Sequence, residues 1–354
     1  MMAEIGMRPF KIDPMDLAVD IVPQTKISIR FGTMTIRNTQ VANYISGFVV
    51  SVGHPIEGRD FTTKFRQENS GSTSFKCAPP NTDKRDLFWA HLQNDADYEC
   101  AKHIDDWCKI ARGGFEKIVI DVREWCPRDK YHHTHAVASC QSLVINSNEE
   151  RTIAMWLKRI VCGLESITIK PAVDIVSKNN AGPVVLSEEI ARMQVWSSPS
   201  LKELVLMHYV PFTDDQFLSL RAPSFDIMTS TISDTAINQY FHKWANGELP
   251  KSQRFGISLH RQVEVVKILK DLLFVPWDAN FRETMTELVA ATPQDYRNCW
   301  FTVFRTVRNA EECSNATLVF TYDQSIYLEV TDLNFKFEAA LNETQRERAN
   351  LYSL

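Results

Sequence analysis

Six short segments of this chain share one apolar pattern, and that pattern limits what the chain can fold into. Written apolar-x-x-apolar-x-apolar, they are Phe115-x-x-Ile118-x-Ile120, Cys140-x-x-Leu143-x-Ile145, Leu164-x-x-Ile167-x-Ile169, Leu201-x-x-Leu204-x-Leu206, Ala222-x-x-Phe225-x-Ile227 and Ser252-x-x-Phe255-x-Ile257, the last with a polar residue in its first position. The second and third apolar positions lie two residues apart, so they point to one face of a strand, while the leading residue anchors the turn before it. First positions are separated by 25, 24, 37, 21 and 30 residues. That spacing brackets the roughly 20–29 residues of leucine-rich repeats, with one long and one slightly long interval.

Helical patterns fill the intervals. Arg151–Cys162 carries Ile153, Trp156, Leu157, Ile160 and Val161 at helical spacing. Ser187–Trp196 opens on a capping residue with acids in its first turn, and Thr213-Asp-Asp-Gln216 has the form of a capping box. Ser233–Asn246 has Ser233 as N-cap, an inward row of Ile237, Phe241 and Trp244, and Gly247 as terminator. Strand, turn and helix thus recur, and each unit buries its apolar face only by stacking on a neighbour. The expected fold class is α/β, an irregular leucine-rich-repeat-like solenoid. The Asn that usually closes such a repeat occurs only at Asn148, so the curve should be irregular. An ordinary open α/β sheet with uneven connections is the alternative that the same short motifs permit.

The flanks read differently. Ile27, Ile29, Phe31, Met34 and Ile36 alternate across Gly32, predicting a hairpin there, with strands continuing through 41–52 and 60–67. Asn69–Asp83 is rich in Ser, Pro and polar residues and reads as a loop or boundary. Asp95–Ala111 is an amphipathic helix, and Trp300–Val307, Thr317–Tyr322 and Ile326–Thr331 form a small antiparallel meander.

At roughly 150 residues per domain, 354 residues predict two to three units. A formal net charge of -5, without a basic stripe along the sequence, argues against nucleic acid as a partner. No run approaches the roughly 18–20 apolar residues of a membrane-spanning helix. Glu4, Asp13, Asp16 and Asp20 occupy the first twenty positions in place of a signal-peptide apolar core, so an intracellular protein of cytoplasm or nucleus is expected. The eight dispersed cysteines, none in a C-x-x-C pair, fit a reducing compartment. Asn315-Ala-Thr317 and Asn342-Glu-Thr344 are then chance matches to the glycosylation sequon.

From Leu201 onward the chain resembles the nematode F-box proteins that carry a type 2 F-box-associated domain. The resemblance rests on Ser233-Asp-x-x-Ile237-Asn238-x-x-Phe241-x-x-Trp244-x-x-Gly247, on the strand Phe255–Leu259, and on Phe301–Arg305, Ala316-Thr317 and Tyr327–Val330. It implies a division into a degenerate or partial F-box-like segment (1–25), a β-rich region and loop (26–82), a repeat-like α/β region (83–200), the F-box-associated domain (201–335) and a charged tail (336–354). Near the start, Phe10-Lys-Ile-Asp13-Pro14-Met-Asp16-Leu17 resembles only the middle of an F-box. The leading Leu-Pro segment is absent and Val22-Pro23 interrupts the helix expected next.

The function so implied is recognition without catalysis. The repeats would hold a client protein, and the N-terminal segment would dock on a Skp1-like adaptor of a cullin ubiquitin ligase. The alternative keeps the repeats and drops the ligase. Lys202, Glu203 and His208 are read as outward charges, and Tyr209 and Arg221 as candidate contacts, because aromatic and Arg anchors dominate protein interfaces. Ile237, Phe241 and Trp244 are read as core, and Asn238 as satisfying backbone groups between repeats. No cofactor is expected: phosphate-loop, dinucleotide, nucleophile-elbow and H-E-x-x-H motifs are all missing from the sequence. A third reading is a zinc protein centred on Cys126, His132, His133, His135 and Cys140. That spacing fits no standard framework, and Cys140 holds the anchor slot of a predicted strand. No metal site is therefore expected.

Overall fold

The computed structural model describes residues 30–41, 44–53, 60–69, 72–78, 88–122, 136–160, 162–172, 182–249, 254–276, 299–304, 315–320 and 325–331. The segments 1–25 and 336–354, Ser252, and the cluster Cys126, His132, His133 and His135 lie outside the described residues. The chain divides into two units, Met1–Gly182 and Pro183–Leu354.

The N-terminal unit contains β1 (Phe31–Val41), β2 (Tyr44–Gly53), β3 (Asp60–Asn69), β4 (Ser72–Ala78), β5 (Phe88–Leu92), α1 (Ala96–Ile110), β6 (Phe115–Asp121), β7 (Cys140–Asn146), α2 (Glu150–Arg159) and β8 (Ser166–Lys170). Its strands lie in the order β5-β4-β3-β2-β1-β6-β7-β8. Neighbours from β1 to β8 on the right are parallel, and those from β5 to β1 are antiparallel. The repeated positions stack in register: Ile118 pairs with Leu143 and Leu143 with Ile167, while Ile120, Ile145 and Ile169 form the next row. All six side chains are fully buried, as expected for strands whose apolar row lies under helices.

Gly32 makes no turn. Phe31-x-x-Met34-x-Ile36 is a seventh copy of the repeat, and it pairs parallel with Phe115, Ile118 and Ile120. In the chain, β2 to β5 and α1 lie between the two paired strands. The polar stretch 69–83 likewise contains β4, which pairs antiparallel with β3. There the ladder follows register rather than composition.

Each turn before a parallel strand passes close to the next. Phe31 N–H donates to Gly114 O (3.0 Å), Phe115 N–H to Ser139 O (2.9 Å) and Cys140 N–H to Cys162 O (3.2 Å). Gly114 takes φ +81°, and a Cβ there would lie 2.0 Å from Ser139 O. Gly114→Ala therefore faces both a left-handed backbone and a backbone clash. We expect a loss of about 2–3 kcal/mol of unfolding free energy, read by urea titration. A loss below about 0.5 kcal/mol would show that this turn is not constrained.

The C-terminal unit contains α3 (Glu188–Ala191), β9 (Glu203–Tyr209), α4 (Asp214–Leu218), β10 (Ser224–Thr229), α5 (Asp234–Ala245), β11 (Arg254–Leu259), α6 (Val265–Ile268), β12 (Phe274–Pro276), β13 (Cys299–Phe304), β14 (Asn315–Phe320) and β15 (Ser325–Thr331). Strand order is β9-β10-β11-β15-β14-β13-β12, parallel through β11 and antiparallel beyond. Leu204, Phe225, Phe255, Leu328 and Leu318 form one buried row, and Leu206, Ile227, Ile257 and Ile326 the next. The single helix expected over 187–196 is instead α3 and a 3-10 turn at Gln194–Ser197. Met193 turns extended, which lets the buried Trp196 ring fold back and donate its Nε1–H to Ile190 O (2.7 Å).

The helix starts in this unit are stitched to one another. Asp214, first residue of α4, accepts from Ser233 N–H (2.8 Å) and Ser233 Oγ–H (2.6 Å) at the α5 cap. Asp234, first residue of α5, accepts from Glu264 N–H (3.1 Å) before α6 and pairs with Arg261 (2.7 Å). Each acid thus serves the next unit's exposed N–H groups, in addition to the favourable field at its own helix N-terminus. Thr213 and Gln216 complete a reciprocal capping box at α4.

Candidate functional site

Ile237, Phe241 and Trp244 are fully buried on one side of α5. Phe241 lies over Phe255 (ring centroids 5.5 Å), Phe255 stacks on Phe225 (5.2 Å), and Tyr240 bridges Phe217, Phe225 and Phe255. These rings weld helix to sheet. Gly247 follows α5 at φ +78°, the conformation that a helix terminator needs. Asn238 stands beside that face, and its Nδ2 donates to Ile268 O and Lys270 O, both at 2.8 Å. The amide thereby satisfies carbonyls released at the end of α6. Asn238→Ala should cost about 1–2 kcal/mol. A change within about 0.5 kcal/mol in chemical denaturation would exclude this role.

Tyr209 and Arg221 are not brought together. Tyr209 ends β9 and pairs across to Met228 near the end of β10, whereas the exposed Arg221 precedes the start of β10. Tyr209 is half-buried, its ring 5.1 Å from that of His260. His208 is not an outward charge. It shares the inward parity of Leu204 and Leu206, is fully buried, and accepts from Val184 N–H at Nδ1 (3.1 Å). Lys202 and Glu203 are exposed. Around Tyr209 the opposite face of the sheet carries Val205, Asp226 and Tyr327 in register with Gly256, and Met228 with Ser258 and Ser325. Tyr327 lies across Gly256, where an added Cβ would come within 2.9 Å of its ring.

In the N-terminal unit, α1 packs on β2, β3 and β4. Cys100 and Cys108 are buried in α1 and Cys140 in β7, and burial pushes their thiols up, Cys108 to about 11 and Cys140 to about 12. They are apolar filling at neutral pH, not nucleophiles. Among the described residues no group of three metal-capable side chains gathers, and no helix is long and apolar enough to cross a membrane. Asn148, the one repeat-closing Asn, donates to Gly182 O (3.0 Å) and accepts from Ala172 N–H (2.8 Å).

His103 of α1 packs against Phe65 (5.5 Å) and accepts from Trp107 Nε1–H at Nε2 (3.0 Å). Burial lowers its pKa to about 4, with Asp106 opposing. Between about 6.5 and 4 the unfolded chain binds the proton that the folded chain refuses, so stability falls as pH drops through that window. The difference in unfolding free energy between pH 7 and pH 4.5 should shrink by on the order of 2 kcal/mol in His103→Gln. An unchanged difference would show that the imidazole is protonated in the fold.

The strands, caps and aromatic seams therefore define an α/β protein whose parallel strands bury one face under helices and turn the other away. In sequence, the chain is similar to a Caenorhabditis elegans protein described as an uncharacterized F-box protein, with 23% identity over 217 residues, 60% of this chain and 52% of the relative. The chain spans about half the length of that relative. This distant likeness supports a place in the F-box protein family. No protein-family model and no solved structure matches the chain.

Proposed function

We propose that this chain is a non-catalytic protein-interaction module, the substrate-recognition subunit of a Skp1–cullin–F-box ubiquitin ligase. The likeness to a nematode F-box protein supports this reading. Residues 201–335 act as a type 2 F-box-associated domain, 83–200 as the repeats before it, and together they work as a leucine-rich-repeat-like solenoid. Side chains on the outward strand positions vary without disturbing the buried rows, which suits client recognition. Tyr209 and Arg221 serve as client contacts. The partial F-box at 1–25 docks on a Skp1-like adaptor.

Affinity purification of the full chain, followed by mass spectrometry, tests this. Skp1 and a cullin should co-purify, and deletion of residues 1–25 should remove both. Folded protein without Skp1 would overturn the ligase assignment. The interruption at Val22-Pro23 favours a second reading, a free-standing binding protein whose client is retained with no ligase subunit.

A further inference from the structure

We infer that the face of the N-terminal sheet turned away from α1 is a docking surface for an acidic polypeptide segment in extended conformation. Register assembles this face from residues far apart in the chain. One row across the strands reads Lys76, Lys64, Val49, Arg37, Asp121, Asn146 and Lys170. The parallel row beside it reads Thr62, Ser51, Thr35, Val119, Val144 and Thr168. Four cations and one carboxylate thus border a shelf of short hydroxyl and β-branched side chains.

Lys64, Arg37 and Lys170 are exposed, whereas the rows on the other side of the same strands are buried. Arg37 touches Asp121 only at 3.8 Å, with 63% and 37% of the side chains exposed, so most of its charge remains available. At about 4.8 Å per strand, six intervals span about 29 Å, the length of roughly nine extended residues. The short shelf lets a backbone lie close, and the cations meet carboxylates along its edge.

Charge complementarity selects an acidic partner, and the second row, Thr62, Ser51, Thr35, Val119, Val144 and Thr168, offers no ring on which a nucleobase could stack. Asp121 within the row further weakens a phosphate backbone. Only the identification of this segment as part of a client rests on the adaptor reading above.

The probe is a fluorescein-labelled nine-residue peptide of alternating Glu and Thr, titrated by anisotropy into the full chain. Binding should weaken with salt and vanish when Gln replaces Glu. Combined Arg37→Gln, Lys64→Gln and Lys170→Gln changes should weaken it at least about tenfold, and Asp121→Asn should tighten it about two- to fivefold. These side chains are exposed or half-buried, and circular dichroism of each variant verifies its fold. Equal binding of the Gln peptide, insensitivity to the triple change, or tighter binding of a nine-nucleotide oligothymidylate would overturn the inference. Skp1 capture on the same preparation is read separately. Skp1 retained without peptide binding sinks only this surface, and peptide binding without Skp1 sinks only the adaptor role.

Discussion

Asp105→Ala is expected to lower the unfolding free energy by about 3–5 kcal/mol, and Arg159→Ala by a similar amount. Asp105 of α1 and Arg159 of α2 form an ion pair with side chains only 1% and 4% exposed. The guanidinium also donates to Cys108 Sγ (3.5 Å) and lies 5.1 Å from the centre of the Trp156 ring. Removing the carboxylate leaves a buried cation deprived of its counter-charge, and the cost of that uncompensated charge exceeds the net worth of the intact pair. The control is the double change Asp105→Leu with Arg159→Met, which removes both charges while filling the space. Its loss should be well under the sum of the two single changes. Urea unfolding of all three variants decides the matter. Single changes costing below about 1 kcal/mol would mean that water reaches the pair.

The second large effect falls on Trp244. Its side chain is fully buried in α5, beside the aromatic cluster that joins Phe241 to Phe255 and Phe225. Trp244→Ala empties the largest volume a single substitution can create there, and about 3–5 kcal/mol should be lost. The indole N–H is buried and meets no acceptor among the described residues, so Trp244→Phe sacrifices volume and no hydrogen bond. It should cost only about 1–2 kcal/mol. Thermal and urea unfolding followed by circular dichroism would show the ordering. If the Phe and Ala variants were equally destabilised, volume would not be what this position contributes.

The repeat was legible because it is local. Leu204 with Leu206, or Ile118 with Ile120, must face one way on any strand, and Ser233 and Thr213 announce helix starts by their own chemistry. Phe31-x-x-Met34-x-Ile36 has the same local pattern, but Gly32 within it reads as a turn, and only the parallel pairing with Phe115 to Ile120 makes it one strand of the row. The strand at Ser72–Ala78 was hidden by polar composition. His208 reads as an outward charge by residue type, whereas its parity with Leu206 puts it inside. The reach of Asp214 and Asp234 to the following helix caps appears only in three dimensions.

The cation row makes the same point for the candidate surface. Lys64, Lys76, Arg37 and Lys170 show no basic stripe along the chain, yet strand register sets them in one line. Local alternation and capping need only neighbouring residues, so the amino-acid order alone specifies which side of each strand is apolar and where the helices begin. Which strands become neighbours, and so which distant charges face a partner together, depends on long-range pairing. That pairing is selected by burying whole rows at once, and no single segment contains the information.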